Sequence, residues 1–383
     1  MSNLVDRIID NLYIRREKVL RGEVNCIPSP LKRFSSQFPG IEQGLFYLIS
    51  GASKSSKTQI MNFLFLYTAI LYGYNNPDKI TPRVFYYPLE EKKEQIITRF
   101  ICYLLYTTFG IRCDPKSLNS INADKPIDLD TLEAIKDPKI MDILKYFEEH
   151  VEFKESKNPT GIWKDITKYA ELNGTIHKKE YTTKDIDGTI KKGYAFDYYT
   201  PNNPNEYVMW IVDHVSLIET ERGFSLRESI NKLCEYLILA RNKYNYIPII
   251  CQQQNIETIG LEAYKANKVK PTLAGLADSK DTGKAIDVML GITNPFAFEM
   301  PKYLNYDITK LKGNFRCLEI VLNRGGESNS ICPLYFDGAV NYYRELPLPT
   351  SPEINKVYKF IEDSRKPSVM NMIITNFYKL LKK

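Results

Sequence analysis

The stretch LFYLISGASKSSKT, Leu45 to Thr58, joins an apolar run to a glycine-led loop ending in Lys-Thr. A long apolar helix pattern, QIMNFLFLYTAILYG, follows it. Strand, loop, Lys-Thr and helix in that order is the phosphate-binding arrangement G-x-x-x-x-G-K-[ST], with Ser56 standing at the second glycine. In such a loop backbone N–H groups and the N-terminus of the helix cradle phosphate oxygens. The candidate contacts are therefore Gly51, Ala52, Ser53, Lys54, Ser55, Ser56, Lys57 and Thr58. Lys57 would neutralise the β- and γ-phosphates of ATP, and Thr58 would place its hydroxyl on Mg2+. If position 56 needs a left-handed backbone, serine costs about 1 kcal/mol there; otherwise nothing is lost. A degenerate loop also arises by chance, so its weight rests on the company it keeps.

Three residues keep that company in chain order. Asp213 closes the apolar run VMWIVD, where a second acid would hold the Mg2+ through water. Glu90 follows the run VFYYPL, where a carboxylate could polarise an attacking water. Gln254 follows IPIICQQ and could sense the γ-phosphate. Each has a plain alternative: an acid ending any strand, an acid satisfying a helix N-terminus, a glutamine capping a strand end. One nucleotide site accounts for all three together.

The 383-residue chain is 43% hydrophobic and 26% charged, the balance of a globular protein with a sizeable core. Its net charge of +6 is compatible with a polyanionic partner without requiring one. Seven scattered cysteines with no C-x-x-C pair, and three dispersed histidines, argue against a disulfide framework or a zinc site. No N-terminal apolar segment with a small-residue cleavage site is read, and the longest apolar run falls short of the roughly 20 residues that span a bilayer, so a cytoplasmic location without secretion is expected.

Strand candidates Leu45–Ser50, Val84–Leu89, Val208–Asp213, IPIICQQ, Ile286–Thr293 and Leu318–Asn323 alternate with helix patterns. Near-continuous apolar strands of this kind predict an α/β fold, a mostly parallel twisted sheet covered by helices on both faces. Ser2 to Arg21 reads as an amphipathic helix ended by Gly22. Residues 175–206 alternate polar and apolar around Asp187-Gly188, a hairpin inserted before the third strand. Pro367 to Lys383 reads as a basic amphipathic helix.

From about residue 15 to 345 these segments resemble, in order, the RecA-like P-loop motor domain of the DnaB family of replicative DNA helicases. YYPLEEKKEQIITRF is similar to the family's F-S-L-E-M-x-x-x-Q-L-x-x-R, which implies a catalytic role for Glu90 and nucleotide contact by Arg99. VMWIVDHVSLIE resembles the Walker B strand ending in Asp213, and LRESINKLCEYLILARNKYNYIPIICQQQ leads to the sensor glutamine position, Gln254. PTLAGLADSKDTGKAIDVMLGI resembles the DNA-facing loop and the strand after it. The family's K-x-R, supplied to a neighbour's γ-phosphate, is matched in IVLNRGGESNSICPLYFDG by Arg324, with Asn323 in the lysine's neighbourhood.

The resemblance implies a ring, a hexamer, hydrolysing ATP with Mg2+ at subunit interfaces and moving 5′ to 3′ on single-stranded DNA in DNA replication. Lys265, Lys268, Lys270, Ser279 and Lys280 are the DNA-binding candidates, Lys280 substituting for the arginine missing at Ala277-Asp278. It also implies three units: a linker-type helix over 1–22 that docks on the adjacent subunit, a motor domain over 23–345, and a helical extension over 346–383. The family's N-terminal primase-contacting domain is expected to be absent, as in a bacteriophage-type chain. The hairpin and basic C-terminal helix are candidate contacts for a primase, loader or single-strand-binding partner. Two other readings stand beside the helicase: a recombinase-type or circadian-clock-type ATPase of the same fold, and a nucleotide-binding scaffold with little or no hydrolysis.

Overall fold

A computed structural model describes residues 4–121, 126–184, 190–255 and 269–364. The principal elements are α1 (Leu4–Leu20), β1 (Tyr47–Gly51) and α2, which runs as Lys57–Met61, a π turn at Asn62–Tyr67, and Thr68–Asn75. Next come β2 (Thr81–Pro88), α3 (Lys93–Phe109), α4 (Pro138–His150), β3 (Val151–Phe153) and α5 (Pro159–Leu172). The hairpin β4 (Gly174–Lys184) and β5 (Ile190–Pro201) precedes β6 (Glu206–Asp213), α6 (Leu226–Tyr244) and β7 (Ile247–Gln253). The chain continues through β8 (Val288–Thr293), β9 (Phe315–Asn323), β10 (Ile331–Asp337), β11 (Tyr342–Glu345) and α7 (Glu353–Asp363).

Nine strands form one sheet in the order β11-β10-β9-β8-β1-β7-β6-β2-β3. From β8 to β3 every pairing is parallel, and β9, β10 and β11 extend the β8 edge antiparallel. The parallel strands read as unbroken apolar runs because both faces are covered. Tyr47, Ile49, Val84, Tyr86, Met209 and Ile211 pack with α2, α3 and α4 on one side. Phe46, Leu48, Phe85, Tyr87, Val208, Trp210 and Val212 pack with α5 and α6 on the other. Alternate residues thus serve alternate cores, and Asp213, in step with Met209 and Ile211, is directed to the α2 side.

Local chemistry sets the helix ends. α6 starts where Ser225 and Glu228 form a reciprocal capping box and stops where Asn245 turns left-handed. The hairpin is present, with its tip at Asp187-Gly188 outside the described residues. Lys265, Lys268 and the basic segment 367–383 also lie outside them. Among the described residues no helix is long and apolar enough to cross a membrane.

Candidate functional site

Parallel strands bring their C-terminal ends to a common edge, the usual ligand-binding edge of an open α/β sheet. Here that edge carries Gly51 of β1, Asp213 of β6, Gln253 of β7 and Pro88 of β2, so residues distant in the chain converge. The loop Gly51–Thr58 leaves β1 and enters α2. Lys54 has φ of +60° and Ser56 of +71°, left-handed turns of the kind that aim backbone N–H groups into an anion nest. Position 56 therefore does need a left-handed backbone, and serine there carries the cost that glycine would avoid. Gly51 is needed for closeness: a Cβ there would lie 2.5 Å from the Ile292 carbonyl and from the Ser55 hydroxyl.

Lys57 folds back on the loop, its Nζ donating to the Ala52 carbonyl at 3.1 Å. Burial holds its pKa below the usual lysine value, a shift opposed by Cys251, Glu90 and Asp213. Asp213 is buried, and its Oδ2 accepts a 3.2 Å hydrogen bond from Tyr86 Oη. Oδ1 has no hydrogen-bond partner among the described residues. Burial raises the Asp213 pKa, and Thr58 and Cys251 beside it pull it back. A buried carboxylate oxygen without a donor, next to the Thr58 hydroxyl, is a hard oxygen set that fits Mg2+. Among the described residues no group of three His, Cys, Asp or Glu side chains forms a further metal cluster.

The backbone N–H groups of Leu89 and Glu90 both donate to the Asp213 carbonyl, at 2.8 and 3.2 Å. The Glu90 carboxylate projects half-exposed from this anchor, 3.7 Å from His214 Nε2. A carboxylate held by its backbone close to Lys57, with only a histidine at 3.7 Å as ion-pair neighbour among the described residues, can orient a water. Arg99, on α3, pairs with Glu91 next door.

Gln254 sits under the loop rather than facing into it. Its Nε2 donates to Ser50 Oγ at 2.8 Å and the Thr272 carbonyl at 3.1 Å, while Oε1 accepts from the Thr272 N–H at 3.0 Å. It ties the strand that launches the loop to the 269–285 segment. Any contact with a γ-phosphate requires exchanging those bonds.

The DNA candidates divide. Lys280 is exposed. Lys270 is committed to a 2.7 Å ion pair with Glu319, whose side chain is buried. Ser279, expected at a DNA-facing surface, is 2% exposed and donates to Asn231 Oδ1 at 2.6 Å; the turn that exposes Lys280 points its neighbour inward. Arg324 lies at the opposite edge of the sheet. β9 runs antiparallel, so its end at Asn323 pairs with Val288, which in turn lies beside Tyr47 where β1 begins. Arg324 is exposed there, its Nη2 donating to the Lys284 carbonyl at 2.6 Å.

Two residues at the loop escaped the sequence reading. Asn294, just after β8, donates to the Lys54 carbonyl at 3.1 Å. Arg316, near the start of β9, donates to Ser56 Oγ at 2.7 Å and the Ser55 carbonyl at 3.1 Å. No spacing links either residue to the loop; antiparallel pairing alone brings Arg316 there.

No protein-family profile matches the sequence, and no curated protein matches it by sequence. Solved structures do match by shape. The ATPase domain of G40P superposes with a TM-score of 0.63 at 14% identity, covering 91% of this chain and all of that one. A DnaB-like replicative helicase, solved in a study of its interactions with primase, gives 0.58 at 13% identity, covering 91% of this chain and 68% of its own. With its central parallel sheet and P-loop edge, this chain has the RecA-like fold of DnaB-like helicase ATPase domains.

Proposed function

We propose that this protein is an ATP-hydrolysing replicative DNA helicase that moves 5′ to 3′ on single-stranded DNA as a ring of identical subunits, a hexamer. The observation that carries the reading is the meeting, at one sheet edge, of the left-handed loop, Lys57, the partnerless Asp213 oxygen and the backbone-anchored Glu90. Loop N–H groups and Lys57 would hold the triphosphate, with Lys57 giving up the Ala52 carbonyl to do so. Thr58 and Asp213 would hold Mg2+, which when bound neutralises charge on the phosphates. Glu90 would orient the attacking water and take its proton, with Arg99 keeping the neighbouring Glu91 charge occupied. Gln254 would relay loop occupancy to the 269–285 segment, where Lys280 meets DNA phosphates.

A ring is favoured by two features. Arg324 lies at the sheet edge away from its own loop, so as a catalytic cation it would serve a neighbour. Helix α1 exposes Val5, Ile8, Ile9, Leu12 and Tyr13, an apolar face suited to an adjacent subunit. A primase is the partner to test first, because the DnaB-like helicase of similar shape interacts with one. ATP turnover should rise on adding single-stranded DNA and vanish in Lys57→Ala. The protein should also displace the strand of a duplex carrying a 5′ tail. DNA-stimulated turnover without displacement would favour a recombinase-type ATPase; no turnover at all would leave a nucleotide-binding scaffold.

A further inference from the structure

Arg316 is only 6% exposed, and every group it bonds is neutral. Nε holds Ser56 Oγ and the Ser55 carbonyl, and Nη1 donates to the carbonyls of Gly313 at 2.9 Å and Phe315 at 2.7 Å. The guanidinium sits 4.6 Å from the centroid of the Phe336 ring. Among the described residues no carboxylate pairs with it. Arg112 and Arg241, by contrast, reach Asp337 at 2.7 Å and Asp287 at 2.6 Å. Burial lowers the Arg316 pKa to about 10, the direction expected of a cation short of counter-charge.

A buried, unpaired cation opposes folding unless something anionic offsets it. The feature it grips is the loop that the proposed function assigns to phosphates. Ser56 is also the residue that departs from the usual glycine. Its left-handed backbone is held from outside by the Arg316 bond and by Tyr343 Oη, which donates to the Ser56 carbonyl at 3.4 Å. Glycine would adopt that conformation without strain, yet it would offer Arg316 no hydroxyl.

We propose that Arg316 is a positioning residue of the nucleotide site. It locks Ser56 through the serine hydroxyl, and the phosphate chain bound inside the loop supplies the counter-charge its buried guanidinium otherwise lacks. The serine at the glycine position is then an anchor rather than a defect. This inference rests on the loop binding nucleotide.

The test compares wild type, R316Q, R316K, S56A and the double variant S56A/R316Q in the full chain. Affinity for a non-hydrolysable ATP analogue and melting temperature without nucleotide are both measured. R316Q should bind the analogue about tenfold more weakly. Without nucleotide it should melt no lower than wild type, because an unpaired buried charge has been removed. R316K should fall between, S56A should also weaken binding, and the double variant should be no weaker than R316Q alone. A merely structural arginine would do the reverse: lower melting with affinity intact, which overturns the inference. If R316Q does not fold, full affinity in both S56A and R316K overturns it. Wild type binding no nucleotide would sink the proposed function and this inference together. Wild type binding normally with R316Q within about twofold of it would sink this inference alone.

Discussion

Asp213 is a buried carboxyl group whose ionisation works against the fold, and its proposed role is to hold Mg2+. Burial raises its pKa above the ordinary 3.8, so the folded state holds the proton more tightly than the unfolded chain. Its favourable contribution is present below the unfolded value and is lost as pH rises through the raised folded value. At neutral pH the carboxylate therefore opposes folding until a cation arrives. Asp213→Asn should melt higher than wild type at pH 7 without Mg2+, and the advantage should shrink in acid. The Mg2+-dependent part of nucleotide stabilisation should disappear in the same variant. Calorimetry across pH checks this, and a variant melting lower than wild type at pH 7 would refute it. Glu90 is the complementary case, half-exposed and held by its backbone, so substitution should spare both fold and binding. Glu90→Gln should retain analogue affinity while turnover falls by about 10²–10⁴-fold, the span usual for a lost general base. Equal losses in affinity and turnover would instead make Glu90 part of the binding cradle.

Elements whose signal is local were legible in the sequence. The strands leading to Gly51, Asp213 and Gln254 announced themselves as apolar runs because both faces are buried, and α6 carried its own caps. β3 has three residues and is defined by pairing with β2, which no local pattern encodes. The antiparallel extension β10 and β11 and the helix α5 were likewise unforeseen, and with that extension went the means of seeing Arg316 at the loop. The 269–285 segment shows the same limit among the basic residues: sequence could not separate Lys270, bonded to Glu319, from Lys280, which is free to the surface. Lys270→Ala should lower stability by about 1 kcal/mol, since it leaves the buried Glu319 carboxylate without the partly exposed lysine that pairs with it. Lys280→Ala should leave the melting temperature alone and weaken single-stranded DNA binding, reducing its salt dependence. The opposite assignment in melting and salt titrations would exchange the two roles.

At the scale of the whole molecule, the unanswered feature of a single copy is α1. It touches its own domain mainly near its C-terminal end, through Arg15 with Glu42 and Lys18 with Asn205. Its apolar residues remain open: Leu12 is 63% and Tyr13 65% exposed. A helix this apolar on one face gains little from its own domain and would gain from burial against a second copy. Ring formation and catalysis would then be coupled if the same contact carried one subunit's Arg324 to another's loop. Ile8→Asp with Leu12→Asp should therefore cost the isolated fold less than about 0.5 kcal/mol, as surface substitutions do. Mass measurement with ATP analogue and single-stranded DNA should find the wild type assembled and this variant as single copies. Nucleotide affinity should persist in the variant, since Lys57 and the loop act within one chain, whereas DNA-stimulated turnover should be lost. An assembled, fully active variant would place the subunit contact elsewhere and leave α1 as an appendage of its own domain.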